Sequence, residues 1–221
     1  CIVIIWPGAI IQALTMLGHH DLKAMGRNAQ SAHLFAAAMK RVYADRARYL
    51  ADPDFIDVPT KGLIDAGYLQ QRGAEIDPAK AGGKAKAGEP PSAPAPMAAP
   101  IQPPEKGTSH IVVRDQWGAA LSMTTTIETG FGSRLMAGGF LLNNELTDFS
   151  RAPVRKGLLV ANRVEGGKRP RSTMSPVIVM KDGAPALLVG SPGGSRIIGY
   201  VAGAIINMID WGSWQINLYT K

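Results

Sequence analysis

Four short stretches hold residues whose types and spacing could do chemistry. In the first, Gly107-Thr108-Ser109-His110, a hydroxyl residue opens a strand-like run. A threonine hydroxyl is a poor nucleophile unless a base removes its proton, and no Ser-His-Asp order is evident in the chain. A free α-amine on the same residue, with a pKa near ~8, would be such a base. That amine exists only if the Gly107–Thr108 bond is broken. Two readings therefore stand side by side: a low-complexity tract simply meets a domain here, or the chain is cut here and Thr108 becomes a nucleophile.

The second stretch, "GSPGGSR" at 190–196, lies between a strand and a helix. Gly193 and Gly194 can take positive φ, and a helix N-terminus directs N–H groups outward. This suits a phosphate or a developing oxyanion, and equally a structural turn; the Lys-Ser/Thr ending of a P-loop is missing. The third, "NNELTDFS" at 143–150, packs two amides and two carboxylates at a strand end, either as an Asx-rich turn or as a pocket for a substrate ammonium. The fourth, "KRPRSTMSP" at 168–176, adds Ser172 and Thr173 as loop hydroxyls or as donors to a carboxylate.

The elements that must position these residues follow from periodicity. Residues 8–77 read helical. Leu34, Phe35, Ala38, Met39 and Val42 recur at three- and four-residue steps, with Asn28 or Ser31 as the cap. Residues 78–107 are rich in Pro, Ala, Gly and Lys, with almost nothing to bury, and their composition predicts a mobile linker. From Thr108 the period changes to two. "TSHIVVRD" and "AALSMTTTI" form a hairpin about "QWG", and "SPVIVMKDGAPALLVGS" forms a second about Asp182-Gly183. Helices first and paired strands later predict an α+β layer architecture.

Composition narrows the function classes. The 221 residues and 46% apolar content are enough for a real core, and one cysteine excludes an internal disulfide framework or a CxxC metal site. The four histidines lack metal-ligand spacing, so neither metal nor cofactor is expected. The net charge of +7 is scattered, without an aromatic-interleaved basic stripe, which argues against nucleic acid. The apolar run "CIVIIWPGAIIQALTML" falls short of the ~20 residues of a bilayer span and contains Pro7, so a buried segment is expected. It also lacks the basic n-region and cleavage site of a signal peptide.

Taken together and in order, "TSH", "TTTIETGFGS", "FLLNNELTDFS", "GKRPRSTMSP" and "GSPGGSRII", with "HLFAAAMKRVYADRARYLADPDF" and "VPTKGLIDAGY" upstream, resemble the gamma-glutamyltransferase family from about Gly8 to Gly212. The resemblance implies an N-terminal nucleophile hydrolase, an αββα sandwich made by self-cleavage into a large and a small subunit, at the periplasm or the cell exterior. Thr108 would cleave its own preceding bond and then accept a γ-glutamyl group from glutathione or a related amide. Thr126 would assist it, and Gly193 and Gly194 would supply oxyanion-hole N–H donors. Asn144, Glu145 and Asp148 would line the α-amino site, and Ser172 and Thr173 would contact the α-carboxylate. Water, an amino acid or a peptide would take the acyl group.

The resemblance also orders the chain: 1–77 as the end of the large subunit, 78–107 as linker, 108–221 as the start of the small subunit. It places the chain in the middle of a precursor, without the upstream region that normally provides an arginine for the donor carboxylate. Glu128 stands where many members carry asparagine, while Ser109 and Thr147 replace commoner Thr and Asp. Glu128 motivates a second substrate class, a glutaryl-type amide; a catalytically silent fragment is the remaining alternative.

Overall fold

The computed structural model describes residues 6–101 and 107–212. The first five residues of the apolar N-terminal run and all of "SWQINLYTK" lie outside them.

Helices form where the sequence supplies a cap and an apolar stripe. They are α1 (Gly8–Leu17), α2 (Leu22–Met25), α3 (Ala29–Tyr49), α4 (Thr60–Leu63) and α5 (Ala66–Ala74). Asn28 and Ser31 act together at the start of α3: the Asn28 side chain accepts from the Ser31 N–H, and Ser31 Oγ accepts from the Asn28 N–H. Asp21 and Asp65 cap α2 and α5 by accepting from the Ala24 and Tyr68 amides. The apolar face of α1 packs against α3, α5 and a late helix, α6 (Ile197–Ile209). Ala13, Met16, Leu34, Val42, Leu69, Val201 and Ile205 share the resulting core.

The strands pair as hairpins. β1 (Ser109–Arg114) and β2 (Ala120–Thr125) run antiparallel with Ser109 opposite Thr125. Their turn is closed by Asp115, whose carboxylate accepts from the Trp117 and Ala119 amides. Two short ladders follow, β3 (Met136–Ala137) with β4 (Phe140–Leu141) and β5 (Val154–Arg155) with β6 (Leu158–Leu159). β7 (Val177–Lys181) and β8 (Ala184–Val189) turn at Asp182 and Gly183, both at positive φ, as a two-residue loop matched to strand twist requires. Among the described residues every ladder has two strands. Ser122 of β2 reaches across to the Val189 carbonyl of β8 at 3.3 Å, joining the hairpins through a side chain.

The tract at 78–107 departs from the expectation of an unpacked segment. Its described part follows the helical layer and then the loops at 150–160. The Gly88 N–H donates to buried Asp45 at 2.9 Å, and the Tyr49 hydroxyl donates to the Gly88 carbonyl at 2.6 Å. Farther on, the Ala98 N–H donates to the Leu159 carbonyl, and the Ile101 carbonyl accepts from the Arg151 N–H. The reason is that backbone groups make these contacts. A composition with few side chains to bury says nothing about where its N–H and C=O groups go.

No helix among the described residues is long and apolar enough to cross a membrane.

Beyond α3 the chain turns back at Asp52, a fully buried carboxylate that accepts from the Arg169 N–H and Nε–H at 2.9 Å and from Nη2–H at 2.6 Å. The Arg169 hydrogen bonds hold its carboxyl far below the usual carboxylate range, outweighing burial, which acts in the opposite direction. A depressed folded pKa contributes stability that is fully present above the unfolded value, near ~4, and is lost as pH falls through the folded one. Asp52→Asn is therefore expected to lower the urea midpoint at pH 7, by an amount that shrinks as the pH is taken to 3. An equal difference at both pH values would show that the charge plays no part.

Candidate functional site

The open end of the first hairpin gathers the residues singled out above. Thr108 is half-buried and directly precedes β1, while Thr126 directly follows β2, so the Ser109–Thr125 pairing places both at the same end of the ladder. Gly107 sits at φ +79°, and a Cβ there would run into the Glu128 carbonyl, so only glycine fits. The Gly107 carbonyl accepts a hydrogen bond from the Thr126 hydroxyl. The same hydroxyl oxygen accepts from the Glu128 N–H at 2.8 Å.

Glu128 itself has φ +73°, which is uncommon for a residue with a side chain. Neighbouring bonds hold it there. Asn144 Oδ1 accepts from the Thr129 N–H at 3.1 Å and lies 3.2 Å from the Thr129 hydroxyl, and the Asn144 N–H donates to the Ile127 carbonyl. This geometry sets the Glu128 carboxylate beside those of Glu145 and Asp148, which come from one 3₁₀ turn (Glu145–Asp148). The three carboxylates are buried, and one oxygen from each lies within 4.8 Å of the others. Negative charges this close repel strongly away from bulk water, so the arrangement suits a cation, whether a metal ion or an ammonium group. Glu128, Asn144 and Arg151 line an open cavity of about 550 Å³ with Phe149 and Val164.

A second group forms around the glycine loop. Gly193 and Gly194 have φ +133° and +54°, as a turn into α6 demands. The Thr173 hydroxyl donates to the Gly194 carbonyl at 2.8 Å, so in this arrangement Thr173 braces the loop. Ser172 Oγ accepts from the Met174 N–H at 3.2 Å, which leaves its own proton to donate. His110 of β1 packs between the first hairpin and Gly190, which follows β8 and precedes the glycine loop. Its Nδ1 lies 2.9 Å from the Thr124 hydroxyl and Nε2 3.5 Å from that of Ser122, and its ring packs directly on Gly190.

Sequence reasoning assigned no role to His110 or to Arg171. Arg171 is buried and donates to the Arg46 carbonyl at 2.8 Å and to the Leu50 carbonyl at 3.4 Å, at the end of α3. Its density of cations makes "KRPRSTMSP" look like a solvated loop, and that is what hides an arginine acting as a buried strut.

With this geometry in place, comparison with known proteins is decisive. Residues 7–215 match the family model described as Gamma-glutamyltranspeptidase. The chain belongs to the gamma-glutamyltranspeptidase family. It is 41% identical over 212 residues to the Glutathione hydrolase proenzyme of Bacillus subtilis (strain 168), covering 92% of this chain and 35% of that protein. It is 33% identical over 206 residues to the Acylase ACY 1 proenzyme of a Pseudomonas species (strain SE83), covering 91% of this chain and 34% of that protein. The chain thus spans about a third of the length of these relatives. A crystal structure of cephalosporin acylase from Bacillus halodurans superposes with a TM-score of 0.70 over 94% of this chain and 34% of its own, at 21% identity, a likeness of fold. The architecture of this gamma-glutamyltranspeptidase family member is accordingly α+β, part of an αββα N-terminal nucleophile hydrolase sandwich.

Burial lowers the His110 pKa, so its imidazole is neutral at pH 7. An NMR titration of the four histidines is expected to give His110 a midpoint below 6.5, the ordinary value. A midpoint at or above that value would mean that its ring is solvated, and the packing on Gly190 would have to be redrawn.

Proposed function

We propose that this chain is the self-cleaving portion of a γ-glutamyl acyltransferase/hydrolase, acting on γ-glutamyl amides such as glutathione. The observation that carries this reading is the Thr126 hydroxyl donating to the Gly107 carbonyl, immediately before the candidate nucleophile. That donor polarises the one carbonyl that the Thr108 hydroxyl must attack. The Thr108 Oγ1–C bond forms, the Gly107 C–N bond breaks, and the peptide becomes an ester with a free Thr108 amine. Water then hydrolyses the ester and releases a Gly107 carboxylate.

The freed α-amine serves as the base for the next attack, on the γ-carbonyl of a donor. Gly193 and Gly194 face the developing oxyanion with N–H groups; losing one such donor typically costs ~10²–10³ in rate. The donor's α-ammonium sits among Glu128, Glu145 and Asp148, with Asn144 holding Glu128 in place, while Ser172 donates to its α-carboxylate. The acyl-threonine passes to water, an amino acid or a peptide. No cofactor enters. Residues 1–77 then belong to the large subunit, 78–107 to the connecting tract and 108–221 to the small subunit, at the periplasm or cell exterior.

The second reading is a glutaryl-type amide, motivated by Glu128 and compatible with the likeness to an acylase. A glutaryl group lacks the ammonium that a cluster of three buried carboxylates would attract, which favours the γ-glutamyl donor.

Intact mass after incubation at neutral pH is expected to show two species meeting at Gly107–Thr108, and one species for Thr108→Ala. Thr126→Val should slow the cleavage about tenfold or more, the loss of roughly one strong hydrogen bond. A single uncut mass from the unaltered chain would instead favour a catalytically silent fragment. Once the chain is cleaved, γ-glutamyl and glutaryl anilides separate the substrate classes. Asp148→Asn is expected to raise KM for the γ-glutamyl anilide about tenfold, whereas faster turnover of the glutaryl compound would reverse the assignment.

A further inference from the structure

The geometry points to Tyr43 of α3 as a positioning residue for the oxyanion hole, an inference that rests on the reading above that Gly193 and Gly194 supply its donors. The Tyr43 hydroxyl donates to the Ser195 carbonyl at 2.6 Å, a contact between residues 152 positions apart. It is a bond from the helical layer into the loop that carries the candidate hole.

Two planar peptides transmit that bond. In a trans peptide the C=O of one residue and the N–H of the next point in opposite directions, and turning one turns the other. Holding the Ser195 carbonyl therefore holds the Arg196 N–H. That N–H donates to the Gly193 carbonyl at 3.1 Å. Holding the Gly193 carbonyl in turn fixes the direction of the Gly194 N–H, one of the two oxyanion donors. Thr173 clamps the next peptide through the Gly194 carbonyl, and the Tyr200 ring occupies the space that a side chain on residue 193 would need.

Glycines at positive φ have neighbouring minima of similar energy, so a loop of this composition needs such clamps to present a fixed dipole. Preorganised donors act because they need no reorientation as charge develops, and they act on the transition state rather than on the bound donor. The strut should therefore show in kcat and leave KM alone.

Tyr43→Phe removes the hydroxyl and keeps the ring. In this variant kcat for γ-glutamyl 4-nitroanilide is expected to fall about tenfold, with KM within twofold of the unaltered chain. The Gly194 amide resonance should shift while the amides of α5, remote from the substitution, hold their positions. Self-cleavage, whose carbonyl is held by Thr126, reports that the variant has folded. An unchanged kcat, a kcat and KM that deteriorate together, or an unmoved Gly194 amide would each overturn the inference. If the unaltered chain neither cleaves itself nor releases nitroaniline, the functional reading fails and takes the inference with it. Cleavage and turnover by the unaltered chain, with no selective loss in Tyr43→Phe, leaves that reading standing and removes only Tyr43.

Discussion

The seat of Arg171 on the C-terminal end of α3 is the contact from which the rest of the site is built. The carbonyls at the end of a helix carry partial negative charge, and the Arg46 carbonyl, which accepts the Leu50 N–H, has a second lone pair to offer. A guanidinium buried to 2% exposure needs several acceptors fixed at once. The Arg46 and Leu50 carbonyls meet part of that need, and Asp52, on the turn that follows, binds Arg169. With residues 169 and 171 both anchored, the intervening backbone has little freedom, and Thr173 is delivered to the glycine loop. Helix α3 thus fixes chemistry that lies more than a hundred residues away in sequence.

Much of this was legible where a local rule and a tertiary need coincide. Asn28 and Ser31 announce the start of α3 because capping is decided within four residues. Asp182-Gly183 announces a hairpin because two successive positive φ values admit few residue types. Gly193 and Gly194, read as able to take positive φ, adopt it. The docking of the Pro/Ala tract was not legible, because its bonds run from Gly88 backbone to Asp45 and Tyr49, groups that composition cannot locate. Glu128 was noticed as a departure from a family pattern, but its left-handed backbone is set by Thr129 and Asn144, and no property of glutamate would suggest it.

The first hairpin carries apolar residues on both faces. Ile111, Val112 and Val113 are consecutive, so their side chains alternate between sides, yet each remains between 43% and 51% exposed. A strand with one wet face would alternate apolar and polar. Consecutive apolar residues belong to a sheet covered on both sides, which is the place of an inner layer in an αββα sandwich. A side-chain bridge, Ser122 to Val189, joins two ladders that are separate among the described residues.

Thr126 connects the two halves of the proposed chemistry through a single oxygen. It donates to the Gly107 carbonyl and accepts from the Glu128 N–H, so one hydroxyl links the bond to be broken to the backbone that presents the carboxylate cluster. While the Gly107–Thr108 bond is intact, the proton of that hydroxyl is held by the carbonyl. In the proposed self-cleavage, the departure of Gly107 would remove the acceptor and leave the proton free to turn toward the new N-terminal threonine. The Glu128 N–H continues to fix the oxygen, so what changes is the direction of one proton. A site that processes itself and then processes a substrate needs the same group to serve two acceptors in succession, and a hydroxyl held from behind can do so without moving its oxygen.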